Sequence, residues 1–228
     1  MIQSNTKSGR SNKGGKGTVW MIVGLLLLAA AVFLTVFNIY DGKRAQRDAE
    51  KALTQLTRKM EMQQEQLWNG DLSDETGETE PEDYELFPDM EMPVMDVNGT
   101  WYLGILEIPY LDISLPVMEE WSYAGLRQAP CCYAGSLYQN NMVIAGHNYR
   151  GFFHDLNQLP VGAEIRFTDA EGHLFRYEVG WIETLGSGDT EAMTSGDWDL
   201  TLFTCTYGGQ NRFTVRCLQI FDGVKNRK

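Results

Sequence analysis

Residues 201–216, TLFTCTYGGQNRFTVR, put a cysteine and an arginine on either side of one Gly-rich turn. Residues 201–204 and 213–215 are short, β-branched and apolar, and residues 207–211 between them carry turn chemistry, so the segment reads as a β-hairpin with a longer loop. Paired strands lie roughly 4.8 Å apart. Cys205, leaving the first strand, and Arg212, entering the second, can therefore reach one small group between them. His147 is the third candidate, because it leaves the apolar run 141–145 directly after Gly146, where a β scaffold presents a side chain to a cleft. A thiolate can attack a carbonyl carbon. An imidazole can hold that thiolate as an ion pair and later protonate a leaving amine, and a guanidinium can donate to the oxyanion formed in between. Together the three side chains specify acyl transfer.

Arg216 competes with Arg212, since both lie on one face of the second strand with Thr214, while Phe213, Val215 and Cys217 share the other. Arg212 is preferred because it is at the strand end nearest Cys205. Cys217 reads as a small buried residue, and the adjacent Cys131 and Cys132 as separate buried thiols. Two readings stay open for Thr204: orienting a substrate through its hydroxyl, or an ordinary β-branched strand residue. Tyr149, Tyr207 and Trp181 are candidates for lining a groove that takes an extended peptide, the alternative being core or rim positions. His154 and His173 read as surface residues.

The elements that must position these groups follow from pattern. Residues 1–18 form a polar tail with Lys7, Arg10, Lys13 and Lys16 and no acidic residue, and residues 19–40 carry no charged side chain. About 20 helical residues at 1.5 Å each cover the roughly 30 Å hydrocarbon layer. The run is too long for a signal-peptide core, and Phe37-Asn38-Ile39-Tyr40 offers no small-residue cleavage site. It reads as a single uncleaved membrane span with a cytoplasmic tail and an extracytoplasmic body. Residues 41–69 lack Gly and Pro until the end except Gly42 and read as a helical stalk with a thin stripe of Leu53, Leu56, Met60 and Leu67. Residues 70–97 begin with a run of Asp and Glu without a basic residue, an acidic flexible linker in which residues 84–88 could fold back as a flap over the site.

Residues 98–228 then form the folded domain. Apolar β-prone runs at 101–108, 113–117 and 141–145, and a hairpin at 164–179 whose apolar residues alternate with charged ones, give a mostly β domain built as a closed or nearly closed barrel. Phe152, Phe153, Leu156 and Leu159 recur at helical spacing and predict one short helix before Pro160. Asp plus Glu number 31 against 19 Lys plus Arg, a net charge of -12, which argues against nucleic acid as a partner. The four cysteines contain no CxxC pair, and no metal or cofactor is expected.

TLFTC at 201–205 resembles the TLxTC signature of sortases, the membrane-anchored cysteine transpeptidases of Gram-positive surfaces, and VIAGHN at 143–148 resembles the segment carrying their histidine. Arg212 and the pattern of Phe152-Phe153, Asp155-Leu156 and residues 159–167 are similar as well, so the likeness spans roughly residues 99–220. It implies an eight-stranded sortase β-barrel with short helices, with Cys205 as nucleophile, His147 as acid/base and Arg212 as oxyanion stabiliser. Thr204 and Tyr207 are the candidate substrate contacts. The resemblance also implies the substrates: an LPxTG-like C-terminal sorting signal of secreted proteins, and an acceptor amine on a peptidoglycan cross-bridge, lipid II or a pilin lysine. The Asp-Pro-aromatic lid motif of pilus-building sortases is missing, which favours a wall-anchoring enzyme of class B or class D pattern. The alternatives are a pilin polymerase and a plain surface cysteine peptidase that hydrolyses its acyl-enzyme.

Overall fold

Alternation in residues 164–179 yields the expected hairpin, with Ile165 opposite Tyr177 and Phe167 opposite Phe175 in the barrel core. On the wet face Glu164 accepts from Arg166 and Arg176, each at 3.0 Å. The computed structural model describes residues 15–70 and 82–221. Most of the expected N-terminal tail and residues 71–81 of the acidic run lie outside the described residues.

In chain order the strands are β1 (Met95–Val97), β2 (Thr100–Ile108), β3 (Ile113–Met118), β4 (Cys131–Ala134), β5 (Met142–Gly146), β6 (Glu164–Asp169), β7 (Leu174–Gly186), β8 (Leu200–Cys205) and β9 (Asn211–Gln219). They lie in the order β1-β2-β3-β4-β5-β8-β9-β7-β6, and β6 closes back onto β2. Strands β2 to β9 thus make the expected eight-stranded barrel, mixed because β3–β4 and β5–β8 are parallel, while β1 extends the edge of β2. Closure depends on Gly104, where β2 leaves β1 and takes up β6. Its φ is +153°, and a Cβ there would overlap the Thr168 carbonyl oxygen.

The chain divides into two compact units, Met1–Asp41 and Gly42–Lys228, and helix α1 (Gly15–Gly70) contributes to both. In the first unit residues 19–40 are exposed throughout, and α1 is the one helix among the described residues long and apolar enough to cross a membrane. In the second unit the stretch expected as a stalk is helical but rests on the barrel. Ala45 and Ala49 join the barrel's core cluster, and Leu56 and Met60 pack with Val97, Tyr102 and Ala129. Lys59 Nζ donates to the Asp96 carbonyl at 2.5 Å, and Asn98 Nδ2 donates to Gln55 Oε1 at 2.7 Å. The buried stripe includes alanines, whose small side chains let the helix approach the barrel closely.

Residues 84–88, the candidate flap, lie away from Cys205. Tyr84, in the short helix α2 (Asp83–Leu86), stacks on Tyr138 with centroids 4.7 Å apart and touches His173 and Phe175. Phe175 is near one end of β7, whereas Gly186, beside the β8–β9 turn, is at the other. His173, expected at the surface, is half-buried: its Nδ1 is 2.9 Å from Oδ2 of the buried Asp169, and its Nε2 is 3.4 Å from Glu82. Phe152, Phe153, Leu156 and Leu159 are buried as their spacing requires. They lie in turns and a single 3-10 turn at Leu156–Gln158 rather than a helix, with the Phe153 and His154 N–H groups reaching back to the His147 and Tyr149 carbonyls at 3.3 Å each.

Leu56→Ala is expected to lower the unfolding free energy of the full chain by about 2–5 kcal/mol in denaturant titration, as for a fully buried leucine. A second expectation concerns pH. Burial alone would lower the His173 pKa, but the hydrogen bond to Asp169 and the charges of Asp169, Glu82 and Glu171 raise it above 6.5. Protonated His173 then contributes stability that is complete below 6.5, the value ordinary for the unfolded chain, and is lost as pH rises through the folded value. The difference in Tm between wild type and His173→Gln should be largest below that value and shrink above the folded pKa.

Candidate active site

Strand β5 ends at Gly146, which pairs in parallel with Thr204 of β8, so His147 and Cys205 leave the same end of neighbouring strands. On the other side β9 runs antiparallel and sets Arg212 directly opposite Cys205. Three adjacent strands therefore deliver the three expected side chains to one barrel end. Cys205 is exposed, and His147 and Arg212 are half-buried. The β8–β9 turn is held by Thr206 N–H on the Asn211 carbonyl at 3.0 Å and by Gly208 and Gly209 with φ of +85° and +72°.

Gly146 is a glycine for a steric reason: the Phe153 ring lies where a Cβ would stand. The loop then folds over this ring, with Tyr149 N–H and Phe153 N–H both donating to the His147 carbonyl, at 2.8 and 3.3 Å. The Tyr149 ring stacks on the His147 imidazole, centroids 3.8 Å apart and planes 16° from parallel. Behind Tyr149 stands Gly42 of α1, and Gln46 covers Gly151. The first turns of α1 in this unit thus back the loop that carries His147.

The two arginines have different surroundings. Arg216 is 2% exposed, donates from Nε to Glu183 at 2.8 Å and from Nη1 to the Met193 carbonyl at 2.7 Å and Thr201 Oγ1 at 3.1 Å, and bonds the Ala192 carbonyl through Nη2. Those carbonyls belong to the short helix α3 (Thr190–Thr194) in the β7–β8 connection, so Arg216 fastens that connection to the barrel. Arg212 donates to the carbonyls of Gly209 and Asn211 at 2.9 and 3.1 Å and has no carboxylate partner among the described residues. Its charge is therefore available at the site, as its position on the strand predicts.

Cys205 lies between two cavities. One, of about 240 Å³, is walled by Trp121, Tyr123, Leu126 and Tyr133 on one side and α3 with Asp189 on the other, and Phe203, Cys205 and Arg212 line it. The second, of about 350 Å³, is lined by Cys205, Thr204, Tyr207, Asn148, His154 and Asp155, with Asn157 and Gln158 beyond. Thr204 is buried in this second wall, and its Oγ1 has no hydrogen-bond partner among the described residues. Tyr207 is 95% exposed at its rim. Trp181 lines neither cavity, and Tyr149 supports His147 instead of a groove. The aromatic wall of residues 121–133 and the place of His154 in the second cavity were not legible from the sequence, where Trp121 and Tyr123 stand in a loop without a pattern.

All four cysteines are free. Burial pushes the Cys131 and Cys132 thiols up to about 11 and raises Cys217 too, which leaves Cys205 as the exposed thiol. Among the described residues no group of three or more His, Cys, Asp or Glu side chains is arranged to hold a metal ion.

Residues 106–220, half of the chain, match the model of the sortase domain. The chain belongs to the sortase family. It is accordingly a cysteine transpeptidase of sortase type. Its fold is similar to that of a sortase D5 transpeptidase from Clostridium perfringens, with 20% identity, a TM-score of 0.54, and coverage of 77% of this chain and 99% of that one. A Clostridium perfringens sortase C solved with the C-terminal cell wall sorting motif is 23% identical over 82% of this chain and 99% of that one, with a TM-score of 0.48. A lid mutant of Corynebacterium diphtheriae sortase A is 23% identical over 53% and 70%, with a TM-score of 0.45. No curated protein matches the chain by sequence.

In this sortase Arg216→Leu strands Glu183 and two α3 carbonyls without their donor, and is expected to cost about 3–5 kcal/mol in denaturant unfolding. Arg212→Ala breaks only turn contacts and should cost under ~1 kcal/mol in the same measurement.

Proposed function

We propose that this sortase is anchored by residues 19–40 with its barrel outside the cytoplasm, and that Cys205, His147 and Arg212 are its catalytic residues. The observation that carries the assignment is the register of three strands, which brings an exposed thiol, an imidazole and a guanidinium with no carboxylate partner among the described residues to one barrel end. The Cys205 thiolate attacks the scissile carbonyl of an LPxTG-like sorting signal, and Arg212 donates to the resulting oxyanion. His147 protonates the amine that leaves as the tetrahedral species collapses to a thioester. An acceptor amine then attacks the thioester carbon, forming the new amide and returning the thiol.

The aromatic cavity beside Cys205 and Arg212 suits the signal, since Trp121, Tyr123 and Tyr133 can bury apolar side chains of an extended peptide against the oxyanion donor. Thr204 and Tyr207 would contact substrate on the opposite side of the sulfur. The acceptor is an amine of the cell wall, on a peptidoglycan cross-bridge or lipid II, in keeping with the wall-anchoring reading; transfer to a pilin lysine is the runner-up. The class B or class D assignment rests on the missing lid motif, and solved relatives of similar fold span classes A, C and D.

With the full chain in detergent and an LPxTG-type peptide library, mass spectrometry should detect an acyl-enzyme on Cys205 and a transfer product with triglycine. Cys205→Ala and His147→Ala should each abolish turnover while the circular dichroism spectrum is retained. Arg212→Ala should lower kcat by about 10²–10³-fold. A fully active Cys205→Ala protein would overturn the assignment.

A further inference from the structure

The cavity of about 350 Å³ differs in chemistry from its neighbour across Cys205. The aromatic cavity holds Arg212, a fixed cation suited to a developing oxyanion. The larger one is lined by Asp155, Asn148, Asn157, Gln158 and Thr206, with no Lys or Arg among its walls. A carboxylate and several amide and hydroxyl oxygens around an open volume favour a primary ammonium over an anion. Within this wall stands His154, 35% exposed in its side chain.

The protonation of His154 follows from a chain of two hydrogen bonds. Asn148 Nδ2 donates to the Cys205 carbonyl at 3.0 Å, and because a carbonyl only accepts, the amide is held with its oxygen turned the other way. That oxygen, Oδ1, is 2.8 Å from His154 Nδ1, so Nδ1 must carry a hydrogen. In the neutral ring Nε2 is then the basic nitrogen. Its nearest carboxylate oxygen, Asp155 Oδ1, is 3.9 Å away, beyond hydrogen-bond reach, so Nε2 is left facing the cavity. The backbone of the nucleophile thus fixes the tautomer of a second histidine, in a cavity that the nucleophile itself lines.

We infer that this cavity is the subsite for the acceptor amine and that His154 Nε2 is the base that takes the ammonium proton. The inference rests on the sortase reading of Cys205. An aliphatic or α-amino acceptor arrives largely as an ammonium ion, whose nitrogen has no lone pair with which to attack. One N–H bond breaks as its proton passes to His154 Nε2, giving an imidazolium held between Asn148 and Asp155. The freed lone pair forms the C–N bond at the thioester carbon, the C–S bond breaks, and the Cys205 thiolate leaves. The second nitrogen proton goes to that thiolate through His147, so the products are an amide, a thiol and one proton on His154 that returns to solvent. His147 and His154 divide the work: the first serves the sulfur, the second the incoming nitrogen.

The test compares two nucleophiles on the full chain: triglycine, which must be deprotonated, and hydroxylamine, which is already largely unprotonated at neutral pH. His154→Gln should lower the ratio of triglycine to hydroxylamine transfer about a hundredfold, the lower end of the range for loss of a general base. An unchanged ratio overturns the inference. Asn148→Asp sets a carboxylate on the His154 Nδ1–H at the cost of the hydrogen bond to the Cys205 carbonyl, so the rising limb of triglycine transfer against pH should move upward, with the hydroxylamine profile as the reference for any general effect on Cys205. A limb that stays where it is in wild type also overturns it. Absence of any acyl-enzyme in wild type would instead remove the catalytic reading of Cys205, and this inference with it.

Discussion

The site depends on one structural constraint, the parallel pairing of β5 with β8 beside the antiparallel pairing of β8 with β9. Parallel neighbours end together, so a residue just past β5 and the last residue of β8 emerge side by side. An antiparallel neighbour turns back, so the first residues of β9 face the last of β8. The combination gathers groups that are 58 positions apart in sequence, His147 and Cys205, and adds the nearby Arg212 through a five-residue turn. Either pairing alone would give two of the three. A slip of one residue in β8 would also turn Cys205 inward and Thr204 outward, because successive side chains point to opposite faces. The apolar Leu200 and Leu202, buried in the barrel, hold the register against such a slip.

A buried charge organises the outer wall. Arg216 is tied to Glu183 on one neighbouring strand, to Thr201 on the other and to two carbonyls of α3. Desolvating a guanidinium is costly, and this one is repaid only because every contact is made at once. Met193 packs beside it with Val143, Ala145 and Phe203, so the β7–β8 connection has both an apolar and an ionic attachment. The aromatic cavity therefore has a fixed wall opposite Trp121 and Tyr123, whose rings pack edge to face with centroids 5.0 Å apart.

Much of this was legible because strand residues alternate. The faces read for β6, β7 and β9 follow from period two, and distance along the strand separates Arg212 from Arg216 as their surroundings do. Other features left no local signal. Ala45 and Ala49 do not look like a buried stripe, since alanine is equally at home on an exposed helix, so the packing of the stalk on the barrel is a tertiary fact. The helix expected at 152–159 failed because the loop around Phe153 overrode a correct apolar spacing. His154 shared that stripe's polar side and seemed exposed, yet the turn geometry brings it to Asn148 and the cavity. Tyr84 sits in an acidic segment whose composition suggests no packing, but Tyr138, His173 and Phe175 offer it a ring-lined seat.

The two cavities bear on the direction of the chemistry. Acylation expels an amine from the carbonyl and transfer adds one to it, so the two steps are alike in form and a single approach path serves both. If the acyl part of the signal lies among the aromatic residues, its leaving amine departs into the polar cavity, and the acceptor must enter there after it has gone. Product departure and acceptor entry then compete for a single volume with water, the nucleophile of the hydrolytic alternative. If the polar cavity is the acceptor subsite, transfer prevails over hydrolysis when an ammonium is held in that volume better than water is, and Asp155, Asn157 and Gln158 are the side chains whose oxygens line it. Under that assignment the balance between transpeptidase and peptidase rests on the walls of the second cavity rather than on Cys205, which both reactions would share.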